Sequence, residues 1–317
     1  MKIIYMGTPE FACKPLLALH ESRHEILAVV TGRDKRRGRR GMPCSTDVCC
    51  TAKDLSLPVL TPKSLKSEKF YKELSAYEVD LFVVVAFRIL PERLFSLPKY
   101  GAINVHASLL PGYRGAAPIN WVLINGEKET GLTSFILRKE VDAGDIVLQE
   151  KVNIEKDENY DSLYRRLSEI SGTFLLRSID LLEKGDFKPI PQDEKLITPA
   201  PKIQPFDALI DFGLPAPKVR DFVRGLSTKP GAYTFFRGKQ IKITECRVAG
   251  TSGSTTTRPG TIINERKHLL VQCAGSVIEI LTLIPEGKKP MDGISFLSGA
   301  RLKPGELFGD AIQNIKE

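Results

Sequence analysis

The sequence lacks the features of several common protein classes. None of its apolar runs approaches the length of about eighteen residues that a membrane-spanning helix needs. The opening residues, MKIIYMG, form a short apolar run without a small-residue cleavage site, so they predict a first strand rather than a signal peptide. We therefore expect a cytoplasmic protein with no membrane association.

Cysteine and histidine are both scarce. The six cysteines include no C-x-x-C pair and have no histidine near them. Their spacing therefore predicts neither a zinc site nor a disulfide framework. Only four histidines occur in the chain. A metal centre would need two or three histidines or carboxylates in one place, so we expect no metal.

Positive charge is present in excess and is concentrated in two parts of the chain. The net charge is +8 at pH 7, while the segment 33–40, RDKRRGRR, has a charge of +5 and residues 210–317 have a charge of +6. Phosphate contacts supply most of the sequence-independent affinity for nucleic acids, so this distribution indicates a polyanionic partner. The alternative for the segment 33–40 is an ordinary solvated run of charges.

The first 150 residues alternate apolar runs with helical patterns, which predicts a doubly wound α/β domain. Runs rich in Val and Ile predict strands at 2–6, 25–31, 57–60, 80–87 and 101–105. The run VVVA is apolar at every position, as in a parallel strand that helices cover on both faces. A dinucleotide-binding turn would need G-x-G-x-x-G after the first strand, and only Gly7 is present there. NAD binding is therefore disfavoured.

The remaining sequence predicts a long helix, a linker and a small β domain. Helical periodicity covers 160–184, and the five prolines between 189 and 205 favour an extended linker. Short alternating runs beyond this point predict a β-barrel or sandwich, and a basic barrel is a common platform for nucleic acids. We therefore expect an α/β domain over 1–187, a linker over 188–207 and a C-terminal domain over 208–317.

A polar pair lies at the end of the fifth predicted strand. Asn104 and His106 are two residues apart, so their side chains point to the same side of the strand. Ligands of open α/β sheets bind beyond the carboxyl ends of strands, where an amide and an imidazole can donate to a developing oxyanion. The alternative is a capping Asn and a hydrogen-bonded loop His. Asp142, in the turn EVDAGDIV, is a candidate partner for His106 or an ordinary turn residue.

Several segments together resemble one known family. The stretches NVHASLLPGYRGAAPI and VDAGD resemble the two signatures of the 10-formyltetrahydrofolate-dependent formyltransferases. Five further stretches are similar, in order, to members that act on methionyl initiator tRNA: IIYMGTPEFA, GRRGMP, FDALIDF, KPGAYT and GKKPMDGISFLSG. The resemblance thus spans nearly the whole chain. A member that acts on a nucleotide-linked amino sugar is the alternative, although it has no evident need for a loop as basic as 33–40.

The resemblance implies a Rossmann-like formyltransferase domain followed by an OB-like β-barrel that binds tRNA. It implies formyl transfer from 10-formyltetrahydrofolate to the α-amino group of methionine on initiator tRNA, by a monomer. It implies that Asn104, His106 and Asp142 are catalytic. The folate-binding positions that it implies are Ser108, Leu109, Leu110, Pro111, Phe87, Ile89 and Leu90. The tRNA-binding positions that we expect in the basic loop are Arg37, Arg39 and Arg40.

Overall fold

The computed structural model describes residues 1–36, 43–185, 187–250, 257–265, 267–302 and 305–309. These residues form two compact units. The first unit comprises Met1–Pro118, Glu129–Asn153 and Tyr164–Ala200, and the second comprises Ile119–Lys128, Ile154–Leu163 and the described residues from Pro201 onward. None of the helices within these ranges combines the length and the apolar character that crossing a bilayer requires.

The elements follow one another along the chain as follows. The strands are β1 (Lys2–Gly7), β2 (Glu25–Val30), β3 (Lys35–Arg36), β4 (Pro43–Cys44), β5 (Val59–Leu60), β6 (Leu81–Val85), β7 (Ala102–His106), β8 (Glu129–Ile136), β9 (Ile146–Asn153), β10 (Ala232–Phe236), β11 (Lys239–Gly250), β12 (Ile262–Glu265), β13 (His268–Cys273), β14 (Ser276–Pro285) and β15 (Met291–Asp292). The α-helices are α1 (Cys13–His20), α2 (Asp47–Asp54), α3 (Glu68–Ser75), α4 (Glu92–Phe95), α5 (Pro118–Ile124), α6 (Tyr160–Lys184), α7 (Ala216–Leu226) and α8 (Gly293–Ala300). Short 3-10 turns lie at Glu10–Ala12, Glu194–Leu196 and Pro205–Ala208.

The first unit is built on a seven-stranded sheet of order β5-β2-β1-β6-β7-β8-β9. The strands from β5 to β7 are parallel, which confirms the predicted Rossmann-like arrangement. Strand β6, LFVVV, is buried at every position, as its continuous apolar run predicts. Two antiparallel strands, β8 and β9, extend the sheet beyond β7. The strand that ends at His106 therefore lies inside the sheet, between β6 and β8.

Local sequence explains where two of the helices begin. Helix α2 follows Thr46, whose side chain accepts a hydrogen bond from the backbone N–H of Cys49. Helix α3 follows Ser67, whose hydroxyl accepts in the same way from Phe70. These are N-caps, which satisfy N–H groups that have no partner within the helix. The predicted long helix is α6, which has the predicted bounds.

The second unit is an antiparallel sheet that curls around an apolar core. Its strand order is β10-β11-β14-β13-β12, and β15 pairs with β14. Register shifts along the pairing of β11 with β14 are irregularities of the kind that bend and twist a strand. Helix α7 buries Val219, Val223 and Leu226 in this core, at the three-to-four spacing of an amphipathic helix. The small β domain expected from the sequence is thus confirmed, and the division at 188–207 stays a prediction.

Candidate active site

The candidate site is centred on His106, the last residue of β7. Its side chain is buried, with 7% of its surface exposed. Its Nε2 lies 2.9 Å from the carbonyl oxygen of Tyr113. Because a carbonyl only accepts hydrogen bonds, Nε2 carries a proton and donates it. In the neutral ring, Nδ1 is therefore an acceptor, and it becomes a donor only when the ring is protonated.

Asp142 lies beside the other ring nitrogen. Its Oδ2 is 3.9 Å from His106 Nδ1, which is an ion-pair distance but too long for a hydrogen bond. The same oxygen accepts a hydrogen bond of 2.9 Å from the backbone N–H of Gly115. The backbone of Asp142 has a φ of 51°, in the left-handed region that Asp tolerates better than most residues. The structure thus brings the two predicted residues together, with the ring held by Tyr113 and the carboxylate placed next to it.

Asn104 lies two residues before His106, on the same face of β7. Its neighbours in the sheet are Val84 on β6 and Phe135 on β8. Its Oδ1 is buried and has no hydrogen-bond partner among the described residues. A buried polar atom left unpaired costs about 1–3 kcal/mol, so native structures rarely retain one without a reason.

The turn after β7 is held by polar contacts to β8. Ser108 is fully buried, and its hydroxyl donates to the carbonyl oxygen of Gly112 at 2.7 Å. Thr133 on β8 donates to the carbonyl oxygen of Ser108 at 2.6 Å and accepts from the backbone N–H of Leu110 at 3.1 Å. The Ser108 hydroxyl therefore closes the turn, which is a structural role and not that of a nucleophile.

The apolar side chains of this turn differ in exposure. Leu110 is 3% exposed and packs with Phe135 and Ile146 in a small core cluster. Leu109 and Pro111 are half-buried. Of these predicted folate-binding positions, Leu109 and Pro111 therefore keep accessible side-chain surface, whereas Leu110 anchors the turn in the core.

The loop after β6 contains the other predicted folate-binding positions. Ile89 is 74% exposed, Phe87 is half-buried and Leu90 is 5% exposed. The guanidinium of Arg88 lies 5.2 Å from the centre of the Phe87 ring. Partial burial lowers the pKa of Arg88 from its ordinary value. An exposed isoleucine beside the carboxyl end of a sheet strand is available apolar surface for a ligand.

The three arginines predicted to contact tRNA lie in the basic segment 33–40. Arg37, Arg39 and Arg40 lie outside the described residues. The backbone on either side of them forms the antiparallel pair β3–β4. Their role stays a prediction.

Three groups that hold the site were missed by sequence reasoning. Tyr113 and Gly115 contribute a backbone carbonyl and a backbone N–H, and such groups leave no signal in a pattern of side chains. Both residues lie in the stretch NVHASLLPGYRGAAPI. Gln192 contacts the turn that bears Asp142, and it lies in the Pro-rich segment that predicts only a linker. A single glutamine in a Pro-rich segment reads as an ordinary solvent-exposed linker residue, so its residue type does not predict this contact.

The described part of the first unit contains a cluster of potential metal ligands. Within the described ranges, His24, Asp180 and Glu183 place ligand atoms within 4.8 Å of one another. Arg23 already pairs with both carboxylates, at 2.6 Å and 2.5 Å. The cluster is therefore an ion-pair network, in which Arg23 and the N-terminal ammonium, 3.7 Å from Glu183 Oε1, offset the two negative charges.

Two family models match the chain. The model described as formyl transferase matches residues 1–179, and the model described as formyl transferase, C-terminal domain, matches residues 202–301. A methionyl-tRNA formyltransferase from Geobacter sulfurreducens is 41% identical over 313 residues, which cover 98% of each chain. A methionyl-tRNA formyltransferase from Carboxydothermus hydrogenoformans is 42% identical over 311 residues, which cover 97% of this chain and 99% of the other.

Solved structures of low sequence identity share the fold. WlaRD, a sugar 3N-formyl transferase crystallised with dTDP and 5-N-formyl-THF, aligns with a TM-score of 0.65 at 15% identity, over 91% of this chain and 99% of the other. HypX from Aquifex aeolicus, in complex with tetrahydrofolic acid, aligns with a TM-score of 0.63 at 20% identity, over 96% of this chain and 48% of the other. At these identities the likeness is one of fold.

Proposed function

This chain belongs to the formyl transferase family, and from that premise we propose that it transfers a formyl group from 10-formyltetrahydrofolate to the α-amino group of methionyl initiator tRNA. The choice of substrate rests on relatives that are 41% and 42% identical over nearly the full chain and that are both methionyl-tRNA formyltransferases. The reaction class is supported most directly by the buried His106–Asp142 pair beside the unpaired Asn104 oxygen.

The described residues suit a folate co-substrate. We expect the pterin to be recognised by backbone groups of the loop 86–91. Exposed Ile89 and half-buried Leu109 supply apolar surface, and the Asn104 amide supplies a buried polar group. This combination of apolar lining and few polar groups is typical of small-molecule sites.

The reaction begins with attack of the free amine on the formyl carbon. An α-amino group has a pKa of about 8, so a useful fraction of it is an uncharged nucleophile at neutral pH. A bond forms between the amine nitrogen and the formyl carbon, which gives a tetrahedral oxyanion. The Asn104 amide is suited to this step, because its NH2 group can donate a hydrogen bond to the oxyanion.

His106 and Asp142 complete the proton chemistry. Since Nε2 is engaged by Tyr113, His106 donates to the oxyanion through Nδ1, in the protonated form of the ring. The Asp142 carboxylate, 3.9 Å away, stabilises that positive charge. When the bond between the formyl carbon and the folate N10 breaks, the proton lost by the amine goes to N10, and Asp142 assists this transfer. No covalent enzyme intermediate is required.

The basic loop and the basic C-terminal unit are the expected contacts for tRNA phosphates. We propose that the protein acts as a monomer in the cytoplasm, as expected for an enzyme of translation initiation that acts on tRNA.

A substrate comparison tests this function. Purified protein is given 10-formyltetrahydrofolate with methionyl initiator tRNA, methionyl elongator tRNA or a nucleotide-linked amino sugar, and formyl incorporation is measured. We expect formylation of the initiator tRNA and little on the other two. Formylation of the sugar alone would instead identify a sugar formyltransferase, the fold of which is similar.

Loss of charge in the basic loop is expected to weaken tRNA binding. Replacing Arg37, Arg39 and Arg40 by alanine removes counterion-releasing contacts. The negative slope of log K against log salt should therefore decrease in magnitude by about 0.7–0.9 for each arginine that contacts phosphate. Affinity for 10-formyltetrahydrofolate should not change. Fluorescence titrations over a range of salt concentrations measure both.

A matched variant separates this loop from general charge effects. Replacing Lys63, Lys66 and Lys69, which are exposed, by alanine removes the same three charges from another segment. This variant should keep the salt slope of the unaltered protein. A collapse of folate binding in the arginine variant, with tRNA binding intact, would contradict the assignment of the loop.

A further inference from the structure

We propose that Gln192 is a positioning residue for formyl transfer, which holds Asp142 in place beside His106. This inference rests on the proposed function, because it assigns Gln192 a part in that reaction. Gln192 lies in the Pro-rich segment after α6, where residues 193–199 are all exposed, and it is itself half-buried. Its side chain points from this segment towards the candidate active site.

Both ends of the Gln192 amide are hydrogen bonded. Its Nε2 donates to the carbonyl oxygens of Asp142, at 2.9 Å, and Gly144, at 2.7 Å. Its Oε1 accepts from Nε and Nη2 of Arg114, at 3.0 Å and 2.6 Å. One side chain thus joins the turn that bears Asp142 to the loop that contains Arg114.

The two segments that Gln192 joins are the ones that set the catalytic geometry. The loop presents the Tyr113 carbonyl, which holds the His106 ring, and the Gly115 N–H, which holds the Asp142 carboxylate. Asp142 also has a left-handed backbone, a conformation that persists only where its surroundings maintain it. If the loop that contains Arg114 moved relative to the turn that bears Asp142, the distance between the His106 imidazole and the Asp142 carboxylate would change.

The segment that bears Gln192 is itself fixed to the same loop. The backbone N–H of Arg114 donates to the Thr198 carbonyl at 2.9 Å, and the N–H of Ala200 donates to the Arg114 carbonyl at 2.6 Å. Ala117 continues this pairing with a hydrogen bond of 3.1 Å to the Ala200 carbonyl. Gln192 therefore projects from a backbone that is attached to the loop, as a positioning residue requires.

Glutamine is the residue type that this position needs. The two carbonyl oxygens require a donor and the Arg114 guanidinium requires an acceptor, and only a primary amide offers both on one side chain of this length. Glutamate would keep the contact with Arg114 but would place a carboxylate oxygen against the carbonyls of Asp142 and Gly144. The Gln192→Glu variant therefore breaks one half of the bridge while keeping its size.

The first measurement is the single-turnover rate of formyl transfer by full-length Gln192→Glu. Misplaced catalytic groups cost up to about 100-fold, so we expect the rate at saturating substrates to fall about 10- to 100-fold. The KM for each substrate should stay within about twofold, because no contact with substrate is removed. Gln204→Glu makes the same charge change at an exposed position and should behave as the unaltered protein.

A double-mutant cycle with Asp142→Ala separates positioning from a general loss of structure. If Gln192 acts through Asp142, adding Gln192→Glu to Asp142→Ala should cost less than about twofold, because the group that it positions is gone. Equal costs in both backgrounds would overturn the inference, and so would a normal rate for Gln192→Glu. If Gln192→Glu does not fold, Gln192→Met replaces it in the same cycle, with the same expected result. An unaltered protein that transfers no formyl group to initiator tRNA would contradict the proposed function as well.

Discussion

Replacing His106 by alanine is expected to lower formyl transfer to initiator tRNA by about 100-fold or more, the usual cost of removing one oxyanion donor. The imidazole is buried and its Nε2 is committed to the Tyr113 carbonyl, so Nδ1 is the nitrogen that can act on substrate. Alanine removes that donor and leaves the Asp142 carboxylate without its positive partner. Single-turnover rates at saturating substrates measure the effect.

The matched control for this variant is His20→Ala. His20 is exposed at the end of α1, so its removal should leave turnover unchanged. The tRNA affinity of His106→Ala should also stay close to that of the unaltered protein, because the ring is buried. Normal turnover by His106→Ala would refute the catalytic role assigned here.

Replacing Asn104 by alanine is expected to lower the same rate by about 100- to 1000-fold, the range that corresponds to about 2.7–4 kcal/mol for one oxyanion-hole donor. Alanine removes both the NH2 donor and the buried Oδ1 acceptor. Asn104→Asp should lose at least as much activity, because a carboxylate would face the developing negative charge. Single-turnover kinetics measure the loss of rate in both variants.

Stability distinguishes this role from a structural one. Because Oδ1 has no partner among the described residues, its removal should not lower the free energy of unfolding and is expected to raise it slightly. Asn153→Asp, at an exposed position at the end of β9, supplies the control for the charge change. An Asn104→Ala protein that is strongly destabilised yet transfers formyl at a normal rate would show that Asn104 serves the fold.

The parts of the fold that depend on local pattern were predicted well. The continuous apolar run of β6 indicated a strand covered on both faces, and the periodicity over 160–184 indicated the bounds of α6. The spacing of Asn104 and His106 placed both side chains on one face of β7. These three predictions rest on the two-residue period of a β-strand or on the 3.6-residue period of an α-helix. Both periods are set by residues that are close together in the chain.

The contacts that hold the site could not be predicted in the same way. Leu110 and Ile89 are both apolar and both lie in predicted folate-binding segments, yet one is interior and the other is exposed. Nothing in their residue types separates them. Their difference depends on which strand packs against each loop.

The sequence by itself determined the α/β and β architecture, the family and the identity of the candidate catalytic residues. Only the tertiary structure decided that Tyr113 holds the His106 ring, that Asp142 stands at an ion-pair distance, and that Gln192 joins their two loops. The physical reason is that these contacts connect backbone groups and side chains far apart in the chain. A carbonyl or an N–H is present at nearly every residue, and its partner is chosen by the packing of the whole sheet and its loops.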